Sequence, residues 1–160
     1  IPSGRGSCHH ETEISLLIGL TLTGQVSEAE ARAAIAGITL GLDLTLRDVQ
    51  NQLKQQGHPW EVAKAFDGAA PMGTFAPLPA ATDLADLSFT LTINGDVRQQ
   101  GHSADMITGI VALLQFIATI FTLQPGDVVM TGTPEGVAAL NAGDELVLTS
   151  GGQRWATLVR

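Results

Sequence analysis

The chain has 160 residues, 44% of them hydrophobic, and a mean hydropathy of +0.22. That is enough for one domain with a real core, too little for two, and too apolar for a disordered chain. Its 16 acidic and 8 basic residues give a net charge of -8 and a pI near 4.7, which argues against nucleic acid or an anionic membrane as partner and makes each basic residue inside a motif informative. In chain order, residues 10 to 19 alternate as a strand, with Glu11, Glu13, Ser15 and Leu17 on one side and Thr12, Ile14, Leu16 and Ile18 on the other. Ser27 with Glu30 forms a capping box for a short Ala-rich helix. GITLGLDL, 37 to 44, reads as a second, nearly all-apolar strand, and TLRDVQNQLKQQG, 45 to 57, as a helix stopped by Gly57. His58-Pro59 breaks that pattern, and PMGTFAPLPAATD reads as loop. LSFTLTINGDVRQQG predicts a hairpin turning at Asn94-Gly95. Residues 104 to 121 predict one long, largely buried helix, QPGDVVMTGTPEGV a strand with turns at both ends, and DELVLTSGGQRWATLV a second hairpin around Gly151-Gly152. Strands outnumber helices, so the expected class is a β-rich α+β domain over residues 1 to 160, with short helices packed on sheets.

Cys8 is the lone cysteine, which excludes an intrachain disulfide; no apolar run reaches membrane-spanning length and no signal peptide is visible. A cytoplasmic location is therefore expected. The first residue is Ile, and a natural form with a longer start is expected as well.

The chemistry concentrates in a few places. A strand's two-residue period puts Glu11 and Glu13 on one face, about 7 Å apart at the backbone. A solvated strand face is the plain explanation; a hard divalent cation bound by oxygen ligands is the sharper one. Asp43 interrupts an apolar strand, where a carboxylate is costly without a partner, and is the best third ligand. HHETE is not the helical HExxH zinc motif, and one of His9 and His10 is expected at the surface or behind the site. Arg47 follows Asp43 by four residues, Gln50 lies about a turn further, and Lys64 sits in the apolar VAKAF. Lys54 and Arg32 are expected on helix surfaces. The Gly/Thr turn TGTPEGV could hold a carboxylate through its backbone amides and the Thr133 hydroxyl.

HHETEISLLIG, GLDLTLRDVQ, HPWEVAKAFD, INGDVRQQG and GDVVMTGTPEGV, in this order and at these spacings, resemble the fumarylacetoacetate hydrolase family, in its small acylpyruvate hydrolase-like branch. The resemblance covers nearly the whole chain. It implies a mixed β-sandwich roll, a homodimer, and Mg²⁺ or Mn²⁺ held by Glu11, Glu13 and Asp43. It further implies that Arg47, Gln50, Lys64 and Thr133 surround a bound keto acid, with Lys64 catalytic. The family's water-activating His-Glu pair lies upstream of the E-x-E strand, and IPSGRGSC contains no match to it. His9, His10 and His102 are not assigned that role. The activity implied is Mg²⁺-dependent hydrolysis of a C–C bond in acylpyruvates and related 1,3-diketo acids through a pyruvate enolate. The same site serves as alternatives oxaloacetate decarboxylation, keto–enol tautomerisation and isomerisation of 2-hydroxyhepta-2,4-diene-1,7-dioate. The non-enzyme alternative is a degenerate metal-binding structural dimer module.

Overall fold

The alternating and β-branched segments pair as hairpins and meanders, and the computed structural model describes all of them over residues 1–160. In chain order the elements are β1 (Cys8–His10), β2 (Thr12–Ile18), α1 (Glu28–Ala33), β3 (Ile35–Leu42), β4 (Thr45–Leu46), α2 (Arg47–Gln56) and α3 (Glu61–Lys64). They continue as β5 (Ala76–Pro77), β6 (Ser88–Ile93), β7 (Asp96–His102), a 3₁₀ turn (Ser103–Asp105), α4 (Ile110–Ala118), β8 (Val128–Met130), β9 (Ala138–Ala139), β10 (Glu145–Ser150) and β11 (Gln153–Leu158). The strands form three sheets, ordered β4-β1-β9, β11-β10-β6-β7 and β5-β3-β2-β8, and every strand pairing is antiparallel.

The β6–β7 hairpin turns at Asn94-Gly95 with φ of 54° and 87°, the pair of positive values that a two-residue turn of this hand requires. The capping box of α1 is formed on both sides, and α2 ends at Gly57. Leu16, Ile18, Leu42, Leu46, Leu91, Leu114, Leu146 and Leu148 are fully buried in one hydrophobic cluster drawn from all three sheets and α4. Burying each such side chain contributes on the order of 1.5–3 kcal/mol.

Four expectations are corrected. The strand over 10 to 19 is two strands in different sheets: the chain leaves the β1 sheet at Glu11 and enters the β2 sheet at Thr12. Asp43 does not interrupt a strand, because β3 ends at Leu42 and Asp43 sits in the link to β4. The long helix over 104 to 121 shrinks to α4, which starts after an extended Gly109; only Ile110, Leu114 and Ala118 are buried on it, and Phe116, Ile120 and Phe121 are exposed. Arg32 is more than helix surface, since its Nη2 donates to the carbonyls of Ala80 and Thr82 and pins that loop. Lys54 is exposed as expected, with its ammonium 5.4 Å from the Trp60 ring.

Candidate functional site

The sheet change at Glu11 creates the site. As the chain crosses between sheets, the Glu11 carbonyl accepts from the Asp43 N–H at 2.8 Å, and Thr12 pairs with Leu42 next to it. Both acidic residues are thereby locked side by side at the end of the β2–β3 ladder. Glu13 projects beside them, and a carboxylate oxygen from each of Glu11, Glu13 and Asp43 lies within 4.8 Å of the others.

Two helices deliver the cations. β4 pairs with β1 and runs straight into α2, so Arg47 stands in the first turn facing Glu11. Its Nη2 is paired with Glu11 Oε1, while its Nη1 donates to Gln50 Oε1 at 2.7 Å. The short α3 ends on Lys64, whose Nζ donates to Glu11 Oε2 at 2.7 Å and to Asp43 Oδ2 at 2.6 Å. Lys64 also lines an open cavity with Pro59, Trp60 and Glu61. The fourth wall is the turn after β8, where the Gly132 N–H donates to Glu13 Oε2. The far face of that turn borders a separate cavity of about 420 Å³ bounded by Ile14, Phe89 and Met106, into which none of the three carboxylates opens.

Three carboxylates thus face two cations, and the imbalance falls on Glu13. Burial and the neighbouring charges of Asp43 and Glu11 push its carboxyl up to about 7, despite the Gly132 N–H. Burial also raises Glu11, but the bonds from Lys64 and Arg47 outweigh it and hold that carboxyl below the usual range. Asp43 stays raised by burial because Lys64, which it shares with Glu11, does not fully offset the desolvation. Burial works against the Lys64 ammonium, yet its bonds to Asp43 and Glu11 keep its pKa above the usual lysine value. A hard, all-oxygen donor set with one buried, unneutralised carboxylate fits a divalent Mg²⁺ or Mn²⁺.

Glu11, Glu13, Asp43, Arg47, Gln50 and Lys64 therefore come together as one cluster. Gln50 is buried, and its oxygen steadies Arg47. Thr133 departs from expectation. Its hydroxyl donates to the Thr12 carbonyl at 2.9 Å and accepts from Gln99 Nε2 at 2.9 Å, so that proton is committed inside the chain. The Thr133 backbone N–H makes no hydrogen bond within the chain. His10 is wholly buried, with Nδ1 bonded to Gln99 Oε1 at 2.9 Å. His102 uses both ring nitrogens, on Asp86 and on the Ala104 N–H. Gln99 escaped the sequence reading, where the only local hint is a polar residue at a period-2 position of a hairpin strand. Gly132 lies in the turn whose amides were expected to hold a carboxylate, and the one it holds is that of Glu13.

The family model described as "Fumarylacetoacetate (FAA) hydrolase C-terminal" matches residues 1–157. The chain belongs to the fumarylacetoacetate hydrolase family. It is 51% identical over 160 residues to the oxaloacetate tautomerase YcgM of Escherichia coli, covering 99% of this chain and 73% of that protein. Against the mitochondrial oxaloacetate tautomerase of Homo sapiens it is 36% identical over 146 residues, covering 91% of this chain and 66% of the relative. Among solved structures, a fumarylpyruvate hydrolase from Pseudomonas aeruginosa in complex with Mn²⁺ and pyruvate aligns with a TM-score of 0.93 at 32% identity, covering 99% of this chain and 68% of that one. A 2-hydroxyhepta-2,4-diene-1,7-dioate isomerase from Mycobacterium marinum aligns with a TM-score of 0.86 at 34% identity, covering 99% and 61%. The relatives of this family member are enzymes of small keto acids, and they differ in reaction. No helix of the chain is long and apolar enough to cross a membrane.

Proposed function

We propose that this family member carries the site of a divalent-metal-dependent enzyme that interconverts the keto and enol forms of oxaloacetate. The observation that carries the reading is the cluster itself: three carboxylate oxygens within 4.8 Å, with Lys64 and Arg47 already bonded to them. The 51% identity to an oxaloacetate tautomerase supports the choice of reaction.

Glu11, Glu13 and Asp43 would hold Mg²⁺ or Mn²⁺. The bound ion would supply Lewis acidity towards the 2-keto oxygen and positive charge beside a developing enolate. Arg47, steadied by Gln50, keeps further N–H groups for the substrate's carboxylate, a pairing its planar fork suits. Lys64 has three N–H donors, two of them engaged by Glu11 and Asp43. The third is free to donate to the oxygen on which enolate charge gathers, a preorganised donor of the kind that lowers such barriers. The Thr133 N–H offers a second contact to a substrate carboxylate. Tautomerisation moves one proton between C3 and the 2-oxygen. The bond to hydrogen breaks at one atom and forms at the other, solvent water carries the proton between them, and Lys64 and Arg47 stabilise the negative charge borne in between. A homodimer is part of this reading, supported by the family resemblance alone.

The second reading is hydrolysis of an acylpyruvate, favoured by the likeness to the fumarylpyruvate hydrolase bound to Mn²⁺ and pyruvate. It demands an activated water; His102 has both ring nitrogens engaged by Asp86 and the Ala104 N–H, and His10 is wholly buried with Nδ1 on Gln99, so neither is assigned that task. An ultraviolet assay separates the readings. With Mg²⁺, the enol absorbance of oxaloacetate should decay faster than with EDTA and without pyruvate release. Pyruvate released from oxaloacetate would indicate decarboxylation. Mg²⁺-dependent loss of acetylpyruvate, with oxaloacetate unaffected, would replace tautomerisation by C–C hydrolysis.

A further inference from the structure

Strand β7 has one buried position, and it is an amide: Gln99 is 1% exposed between exposed neighbours. Both ends of that amide are used. Gln99 Oε1 accepts from the Thr12 N–H at 3.1 Å and from His10 Nδ1 at 2.9 Å. Gln99 Nε2 donates to Thr133 Oγ1 at 2.9 Å and to the Pro134 carbonyl at 3.1 Å. The amide cannot be turned round, because Thr12 N–H is only a donor and the Pro134 carbonyl only an acceptor. The same orientation makes His10 Nδ1 the donor to Gln99. The Thr133 hydroxyl closes the ring by donating to the Thr12 carbonyl. Thus one side chain ties three segments together: the β1–β2 crossover that carries Glu11 and Glu13, the turn at 131–135, and β7.

The turn also presses directly on β7. A Cβ at Gly136 would stand 2.3 Å from the Arg98 carbonyl oxygen, with φ at +96°. A side chain there would hold the turn away from Gln99. An apolar residue at 99 would fill the same space, whereas an amide bonded at both ends fixes one orientation. His10 Nε2 and Thr12 Oγ1 have no partner here, so the order is carried by the bonds of the amide itself.

We propose that Gln99 is the positioning residue of the keto-acid site: its amide sets the 131–135 turn so that the free Thr133 N–H faces the substrate carboxylate beside Glu13. Gln99 touches neither substrate nor metal. The proposal rests on the keto-acid reading above and adds to it the residue that shapes the binding turn.

The test uses pyruvate as probe, titrated calorimetrically into the Mg²⁺-saturated chain, with Mg²⁺ titrated alone as reference. Gln99→Met keeps length and removes both halves of the clamp. Thr133→Val removes only the hydroxyl link and keeps the backbone N–H. Both variants should raise the pyruvate Kd at least tenfold and weaken Mg²⁺ clearly less than pyruvate, because the β2–β3 ladder and the Asp43 N–H to Glu11 carbonyl bond still hold the segments that carry the three carboxylates. In metal-free protein, amide exchange of residues 131–136 should speed up while β10 and β11 keep their protection. An unchanged pyruvate Kd in a folded variant overturns the proposal. So does an equal weakening of Mg²⁺ and pyruvate with exchange faster everywhere, which is general loosening. A wild-type chain that binds Mg²⁺ but no pyruvate would contradict the keto-acid reading itself, and the role of Gln99 with it. If Gln99→Met fails to fold, Thr133→Val decides alone.

Discussion

Glu13 is the residue on which the electrostatics turn. It is 5% exposed and has only a backbone N–H for company, and its pKa rises from 4.5 to about 7. The folded value lies above the unfolded one, so the folded metal-free chain binds this proton more tightly than the unfolded chain does. Its contribution to stability is present below pH 4.5 and lost as pH rises to about 7. A cation that requires the carboxylate runs the other way. Mg²⁺ affinity is expected to rise about tenfold per pH unit below pH 7 and to level off above it. Calorimetric Kd values at pH 5.5, 7 and 8.5 check this, and a flat profile would remove Glu13 from the ligand set. Lys64 supports a second prediction. Lys64→Met should lower kcat by roughly 10²–10³, the scale of losing one preorganised donor to a developing oxyanion, without weakening Mg²⁺ binding. Lys54→Met, at an exposed ammonium over Trp60, should leave turnover unchanged. Equal effects would make Lys64 an ordinary surface cation. At this scale the E-x-E pair, Asp43, Arg47 and Lys64 were legible because local spacing and an odd charge in an apolar run expose them. The commitment of the Thr133 hydroxyl was not, because its partners, Thr12 and Gln99, lie far away in sequence.

At the scale of elements, the hairpins and capped helices were readable because their signals are local: Asn94-Gly95, Gly151-Gly152, the Ser27–Glu30 box and Gly57. The sheet change at Glu11 was not, since alternation continues smoothly through residues 10 to 18 and only the pairing with β4 and β9 on one side and β3 on the other breaks it. Helix α4 was overdrawn because apolar residues continue past its end, and Phe116, Ile120 and Phe121 prove to be exposed rather than buried. The turn after β8 allows a clean comparison. Gly136 and Gly143 both have positive φ, 96° and 94°. A Cβ at 136 would strike the Arg98 carbonyl oxygen, while nothing lies within 4 Å of one at 143. Gly143→Ala should cost about 1 kcal/mol or slightly more for backbone strain alone. Gly136→Ala should cost clearly more and should also weaken pyruvate binding. Denaturant midpoints of the two variants measure the difference, and equal midpoints would mean that the turn is not held close to β7.

At the scale of the molecule, three antiparallel sheets share one core, and the site forms where the chain passes from the β1 sheet to the β2 sheet. The β-rich α+β class was legible from strand count and turn residues; the partition into sheets depends on long-range pairing that no local pattern encodes. This architecture sets the three carboxylates on a strand end and on the links beside it, so the variants that neutralise one of them should keep the fold. The most direct measurement is Mn²⁺ binding followed by the electron paramagnetic resonance signal of free Mn²⁺, for wild type, Glu11→Gln and Asp43→Asn at pH 8. The account predicts a single tight site in the wild type, an affinity at least a hundredfold weaker in either variant, and circular dichroism unchanged in all three. Equal Mn²⁺ binding by the folded variants would contradict the carboxylate cluster as the metal site, and with it the mechanism built on that cluster.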